Sequence, residues 1–100
     1  MSEDFTELTD NIFEDLGFPK PEAENLRIRS LLMGAIRELI AREGLTQTQA
    51  AEFFGVTQPR ISDLVRGRIE LFSIDGLVNM LAVAGRAVRV SIEDPPGRAA

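Results

Sequence analysis

The sequence predicts an all-α fold with one β-strand at its C-terminal end. Apolar residues recur at helical spacing through residues 22–84, and capping and turn residues divide this stretch into separate helices. Strict alternation of apolar and polar residues replaces the helical period at residues 86–93. The chain has 100 residues and 44% hydrophobic content, which suits one small domain with one modest core.

The first long helix is predicted over residues 22–43. Pro19 and Pro21 bar a continuous helix from upstream, and Gly44 ends the helix. One broad apolar face is expected to pack on the core, and its residues are Leu26, Ile28, Leu31, Leu32, Ala35, Ile36, Leu39 and Ile40. The arginines of this helix lie off the apolar face and are expected to be mostly solvated; they are Arg27, Arg29, Arg37 and Arg42. The alternative is that Arg37 or Arg42 contacts a phosphate.

Residues 45–67 predict two short helices joined by a tight turn, at 46–54 and 57–66. Thr46 and Gln49 form a capping-box pattern at the start of the first helix. Gly55 can leave that helix with positive φ at little steric cost. Thr57 caps the second helix, with Pro59 in its first turn. The residues expected to face inward from the pair are Ala50, Ala51, Phe54, Ile61, Leu64 and Val65.

A further helix is predicted over residues 73–84, with Ser73 as its cap and Gly85 as its stop. Its buried face is expected to comprise Ile74, Leu77, Val78 and Leu81. The strand that follows places Val88, Val90 and Ile92 on one face. Because a lone strand leaves its backbone groups unpaired, we expect it to pair antiparallel with a second copy of the chain. The alternative is a strand that stays single or pairs with a different protein.

Composition limits the possible functions. The sequence contains no cysteine and no histidine, so no metal site, no cofactor and no thiol or imidazole catalysis is expected, and an enzyme is the least favoured interpretation. No signal peptide or membrane span is evident, which indicates a cytoplasmic protein. The net charge of −5 is uneven, since residues 1–24 carry eight acids against one lysine and the rest is weakly basic. If the partner is a polyanion, this weak positive balance implies a modest affinity for a monomer and favours a dimer.

The N-terminal segment divides into two parts. Residues 1–10 are acidic and are expected to be frayed. Residues 11–18 concentrate apolar residues, and the favoured interpretation is a helical turn, at 11–16, that packs Phe13, Leu16 and Phe18 on the domain. The alternative is a short recognition segment for a partner protein.

Residues 45–67 resemble the helix-turn-helix of the lambda-repressor/Cro-like, or XRE, family of bacterial regulators. The matching residues are Gln47, Ala51, Gly55, Ile61 and Leu64. The resemblance implies a lambda-repressor-like domain at 22–85, preceded by the acidic segment 1–21 and followed by a dimerisation strand at 86–94 and a tail at 95–100. It also implies that helix 57–66 enters the major groove of double-stranded DNA.

The same resemblance assigns candidate base contacts. Gln58 occupies the first contact position of the recognition helix and has the donor and acceptor that suit adenine. Pro59 can offer only an apolar contact to a thymine methyl. Arg60 is the candidate for guanine, with a phosphate contact as the alternative. Asp63 could accept from cytosine N4 or instead hold Arg60 or Arg66 in place. Ser62 is the remaining candidate.

Candidate phosphate contacts lie at the ends of the two short helices. Gln47 stands at the N-terminus of the first helix, where free N–H groups favour an anion. Thr57 begins the recognition helix, and Arg66 and Arg68 follow it. The competing interpretation is that all these polar residues form only a solvated helix face.

The whole chain is also similar to XRE antitoxins of type II toxin–antitoxin pairs that act with RelE/HigB-like toxins. The matching segments are residues 11–17, 58–64 and 88–90. The resemblance implies a dimeric repressor that controls its own operon and neutralises a small basic ribonuclease, a partner that the acidic N-terminal segment would suit. The alternatives are a free-standing repressor and, in a different class, a protein-interaction module that binds no DNA.

Overall fold

The computed structural model describes residues 12–94, and these residues form a helical domain. The all-α prediction is confirmed, since no strand occurs between residues 12 and 94. The predicted frayed segment 1–10 and the tail 95–100 lie outside the described residues. In chain order the elements are α1 (residues 12–15), α2 (Lys20–Glu43), α3 (Gln47–Phe54), α4 (Gln58–Val65), a 3₁₀ turn (Ile69–Leu71) and α5 (Ile74–Val83).

The predicted caps are formed. The Thr46 hydroxyl accepts from the Gln49 backbone N–H at 3.1 Å, and the Gln49 side chain accepts from the Thr46 N–H at 2.9 Å, which completes the capping box of α3. The Thr57 hydroxyl accepts from the Arg60 N–H at 3.4 Å. Ser73 caps α5 by accepting from Gly76 at 3.1 Å. Local side-chain chemistry therefore sets the start of three helices.

Helix α2 starts earlier than predicted, at Lys20 and not at residue 22. Pro19 is the residue before the helix, and Pro21 lies within the first turn. A proline there costs no hydrogen bond, because the first N–H groups of a helix have no partner inside it. Pro21 is thus part of the helix start. At the other end Gly44 has φ 64°, as its role as a stop requires.

The core lies where α2, α3, α4 and α5 meet. Its five largest fully buried side chains are Ile36, Phe54, Ile61, Leu64 and Leu77. The predicted buried faces need correction, because Met33, Phe72 and Met80 are also buried, whereas Ala35 and Val65 are exposed. Burial here depends on how the helices cross, which the period of a single helix does not determine.

The N-terminal turn packs less completely than predicted. Phe13 is half-buried and meets Phe18 edge-to-face, with ring centroids 6.4 Å apart. Leu16 and Phe18, which were expected on the core, are 69% and 38% exposed, and Ile12 is 47% exposed. Of the three predicted residues, Phe13 and Phe18 are therefore partly covered, and Leu16 is mostly exposed.

The predicted C-terminal strand is absent. Residues 86–94 have no regular secondary structure, and Val88, Val90 and Ile92 are 36%, 76% and 93% exposed. A strand requires a neighbouring backbone, and the described part of the single chain contains no other strand that could supply one. Within the described residues, no helix has the length and apolar character needed to cross a membrane.

Candidate nucleic-acid interface

Helices α3 and α4 are joined by a turn that fixes their relative position. Gly55 has φ 70°, and a Cβ placed on it would lie 3.1 Å from Cγ1 of Val83 on α5. Ala50 and Ala51 are buried, and these small side chains allow α3 to pack closely inside the domain. Both the backbone conformation and the contact with α5 therefore require glycine at the turn.

Helix α4 has an apolar inner face and a polar outer face. Ile61 and Leu64 are fully buried and anchor the helix to the core. Residues spaced three and four apart share a face of a helix, so the side opposite these anchors carries Pro59, Ser62, Asp63 and Arg66. Four polar or imino-acid side chains thus project together from the side of α4 that turns away from the core. A face of this kind can enter a groove and contact the edges of bases.

Gln58 lies beside this outer face and contacts α3. The Thr48 hydroxyl donates to Gln58 Oε1 across 3.4 Å, which joins the starts of α3 and α4. This hydrogen bond leaves both N–H groups and one lone pair of the Gln58 amide for another partner. Gln47 is exposed in the first turn of α3, next to Thr48. Thr48 was not among the predicted site residues, and the only sequence signal for it is its place in the first turn of a helix-turn-helix.

Arg60 lies on the opposite flank of α4 from Gln58. It precedes the buried Leu64 by four residues and is half-buried itself. Its guanidinium carbon lies 4.1 Å from the centroid of the Phe72 ring, in a cation–π contact. The predicted contacts therefore do not share one face: Arg60 stands at its edge, toward the connector that follows α4.

Asp63 is half-buried on the outer face of α4. The ion pairs within residues 12–94 are Arg27 with Glu24 and Arg68 with Glu70, so the carboxylate of Asp63 holds neither Arg60 nor Arg66. That alternative from the sequence is not realised. The carboxylate can still act as an acceptor toward a ligand.

The two predicted phosphate-binding residues after α4 differ in their ion pairing. Arg66 is exposed and ends α4, and its predecessor Val65 is 39% exposed. Arg68 donates from Nε to Glu70 at 3.1 Å. The backbone N–H of Glu70 and then the Arg68 guanidinium lower the pKa of the Glu70 carboxyl. Arg68 is thus paired with an exposed carboxylate, Arg66 has no ion pair within residues 12–94, and Arg37 Nη1 lies close to Gly67 at the same end of α4.

Arg29 has a structural role that the sequence prediction missed. Its Nη1 donates to the carbonyl oxygens of Ile69 and Phe72 at 3.2 and 3.3 Å, and its Nε donates to Asn25 at 2.7 Å. The prediction that Arg29 is mostly solvated is therefore wrong. The partners lie 40 and 43 residues along the chain, so no local pattern could have revealed the contact.

Comparison with known proteins identifies the class of this fold. A family model described as a helix-turn-helix domain matches residues 12–93. A solved structure described as a candidate XRE-family transcriptional regulator matches with a TM-score of 0.71 and 33% sequence identity, over 80% of this chain and 91% of that chain. A search of curated proteins finds no match.

The class is thus that of the helix-turn-helix DNA-binding transcriptional regulators. Within it, the chain belongs to the XRE family.

Proposed function

We propose that the chain is a sequence-specific repressor that binds DNA as a dimer and inserts α4 into the major groove. One observation carries this proposal: Ile61 and Leu64 anchor the inner face of α4 in the core, whereas the polar residues on its outer face form no ion pairs within residues 12–94. Capping by Thr57 fixes the start of the helix. A rigid helix with an uncommitted polar face is the form that groove recognition requires.

The proposed base contacts come from the outer face of α4 and its α3 flank. Gln58 can recognise adenine through its amide, since the bond from Thr48 orients it without using its N–H groups. Pro59 can pack on a thymine methyl, and Asp63 can accept from the amino group of cytosine. Ser62 lies between them and can donate or accept. Arg60 is set apart from these residues by its contact with Phe72.

The proposed phosphate contacts surround this face. Gln47 and Thr57 stand at the N-terminal ends of α3 and α4, where helix N–H groups attract anions. Arg66 and Arg68 lie at the other end of α4. Each neutralised phosphate makes binding more sensitive to salt, so the affinity should fall steeply as salt rises.

We propose that residues 86–94 form the dimer contact. Val88, Val90 and Ile92 alternate along this segment and are exposed in the single chain. Antiparallel pairing with the same segment of a second copy would satisfy the backbone groups and cover these side chains. Two recognition helices would then contact half-sites about 34 Å apart on the DNA. An operator of this kind is nearly palindromic, and a protein bound there would hinder a polymerase.

A second candidate function is that of an antitoxin. Ile12, Leu16 and Phe18 are exposed, and Glu14 and Asp15 lie between them on the same turn. An apolar and acidic segment suits a small basic protein, such as a RelE/HigB-like ribonuclease. Residues 12–18 belong to neither α3 nor α4, but Phe13 lines the same cavity as Gly67 and Ile69 just after α4, so a bound toxin would lie near the proposed phosphate contacts Arg66 and Arg68.

The proposal is tested by selection of bound duplexes from a random pool at roughly physiological salt. The wild-type chain should enrich a near-palindrome. Gln58→Ala should recover a looser sequence, whereas Glu52→Gln, an exposed α3 residue outside the site, should recover the wild-type sequence. Ile92→Asp should reduce enrichment to half-sites. No enrichment by the wild-type chain would contradict DNA recognition and favour a protein-interaction module.

A further inference from the structure

The side chain of Arg60 is held by a residue outside the helix-turn-helix. Phe72 lies after the 3₁₀ turn and is 3% exposed. The guanidinium carbon of Arg60 lies 4.1 Å from the centroid of its ring. Contact with an aromatic face restricts a side chain that otherwise has many rotamers. The connector between α4 and α5 therefore determines where this cation of the recognition helix stands.

Phe72 is itself fixed from α2. The Arg29 guanidinium donates to the Phe72 carbonyl at 3.3 Å and to the Ile69 carbonyl at 3.2 Å, and Asn25 accepts from Arg29 at 2.7 Å. The Phe72 ring belongs to the hydrophobic core. A continuous set of contacts thus runs from α2 through the connector to the guanidinium of Arg60.

The stacked guanidinium keeps its hydrogen-bonding capacity. Within residues 12–94, the side chain of Arg60 makes no hydrogen bond and no ion pair. Its hydrogen bond to the Thr57 hydroxyl comes from the backbone N–H. A guanidinium that rests on a ring still presents N–H groups along its edge, and this edge matches a phosphate. Arg60 also shares its side of α4 with buried Leu64 and stands beside, not on, the outer face.

We propose that Phe72 is a positioning residue that holds Arg60 against a backbone phosphate at the edge of the groove. This inference rests on the proposed function. Arg60 would then fix the depth and register of α4, and base recognition would fall to Gln58 and the outer face. Because the guanidinium is ordered before DNA binds, the entropy cost of fixing it on the DNA is reduced.

The test compares Arg60→Ala, Phe72→Leu and the double variant on the selected duplex and on random duplex DNA. Arg60→Ala should weaken both complexes equally and lower the salt dependence by about one phosphate contact. Phe72→Leu should weaken both by about twofold to thirtyfold, the range that a cation–π contact supports. The double variant should bind no more weakly than Arg60→Ala, because both changes remove the same contact.

Two controls separate positioning from a general structural effect. Phe72→Tyr keeps the ring and should restore wild-type affinity, whereas a loss equal to that of Phe72→Leu would contradict the role of the ring. Phe72→Leu combined with Arg66→Ala should show additive losses, since Arg66 has no contact with the ring. Thermal melts by circular dichroism identify variants that are folded at the assay temperature.

A second readout does not require DNA. In the free protein, ring currents from Phe72 should shift the Arg60 Nε–Hε signal in an NMR spectrum, and Phe72→Leu should remove this shift. An unshifted signal in the wild type would overturn the stacking. A selective loss by Arg60→Ala on the selected duplex would overturn the phosphate role and assign Arg60 to a base. Failure of the wild type to bind any DNA would instead overturn the proposed function.

Discussion

Helix α4 and the segment at residues 86–94 have equally regular sequence patterns but different structural outcomes. The pattern of α4 places Ile61 and Leu64 on one side, and both are fully buried. The alternation of the C-terminal segment places Val90 and Ile92 on one side, and these are 76% and 93% exposed. The first segment forms a helix, and the second forms no regular structure in the single chain.

The difference arises from where each segment finds its hydrogen-bond partners. A helix satisfies its backbone groups within itself and needs the rest of the domain only to cover its apolar face. A strand needs a second extended segment for its hydrogen bonds, and residues 12–94 contain no strand that could provide one. A periodic pattern therefore predicts which side chains share a face, whereas the presence of a partner decides whether that face is covered.

The largest expected difference between the two regions is in core stability. Leu64→Ala should lower the free energy of unfolding by about 2–5 kcal/mol, because it leaves a cavity in a fully packed core. Ile92→Ala should change the stability of the monomer by less than about 0.5 kcal/mol. Urea titrations followed by helical circular dichroism, at a concentration that keeps the chain monomeric, measure both. A comparable loss from Ile92→Ala would show that residues 86–94 pack on their own chain.

A smaller effect is expected at the turn that sets α4 in place. Gly55→Ala should cost more than Gly44→Ala, although both positions have positive φ, at 70° and 64°. The backbone strain of alanine in this conformation is about 1–2 kcal/mol at either position. At Gly55 the new methyl also lies 3.1 Å from Val83, whereas at Gly44 it meets open space. Equal losses in thermal melts would mean that the contact with Val83 does not constrain the turn.

Removal of the α3 cap should cost about 1 kcal/mol. Thr46→Ala loses one half of the capping box, whereas Thr48→Ala in the first turn of the same helix loses only an exposed contact with Gln58. Thr48→Ala should therefore leave the stability nearly unchanged and weaken DNA binding. Urea titration and a DNA-binding assay on the two variants check this. A larger stability loss for Thr48→Ala would assign the Gln58 contact to folding.

The smallest expected effect concerns a surface ion pair on α2. Arg27 donates to Glu24 and thereby lowers the pKa of the Glu24 carboxyl from 4.5. The ion pair stabilises the folded state fully at pH values above the pKa that Glu24 has in the unfolded chain. This stabilisation is lost as the pH falls through the lower pKa that Glu24 has in the folded protein. Since Glu24 is 61% exposed, Glu24→Gln should cost at most about 0.5 kcal/mol at neutral pH and nothing in strong acid. Melting curves of the wild type and Glu24→Gln, recorded from neutral pH to strong acid, measure this. A stability difference that persisted in acid would contradict the role of the ion pair.

The sequence predicted features that depend on neighbouring residues. The capping box at Thr46, the turn at Gly55 and the anchors Ile61 and Leu64 are all present. The stacking of Arg60 on Phe72 could not be predicted, because it depends on how the connector returns to the side of α4. The same holds for Arg29, whose partners are far along the chain.

NMR mapping of an operator complex shows whether the outer face of α4 binds DNA. A palindromic duplex from the selection would be titrated into isotope-labelled protein. The largest amide shifts should fall at residues 47–48, 57–58, 60–63 and 66–68, with smaller changes in α2 and α5. The largest shifts at residues 12–18 or on the outer side of α2, with α4 unchanged, would contradict DNA binding by α4.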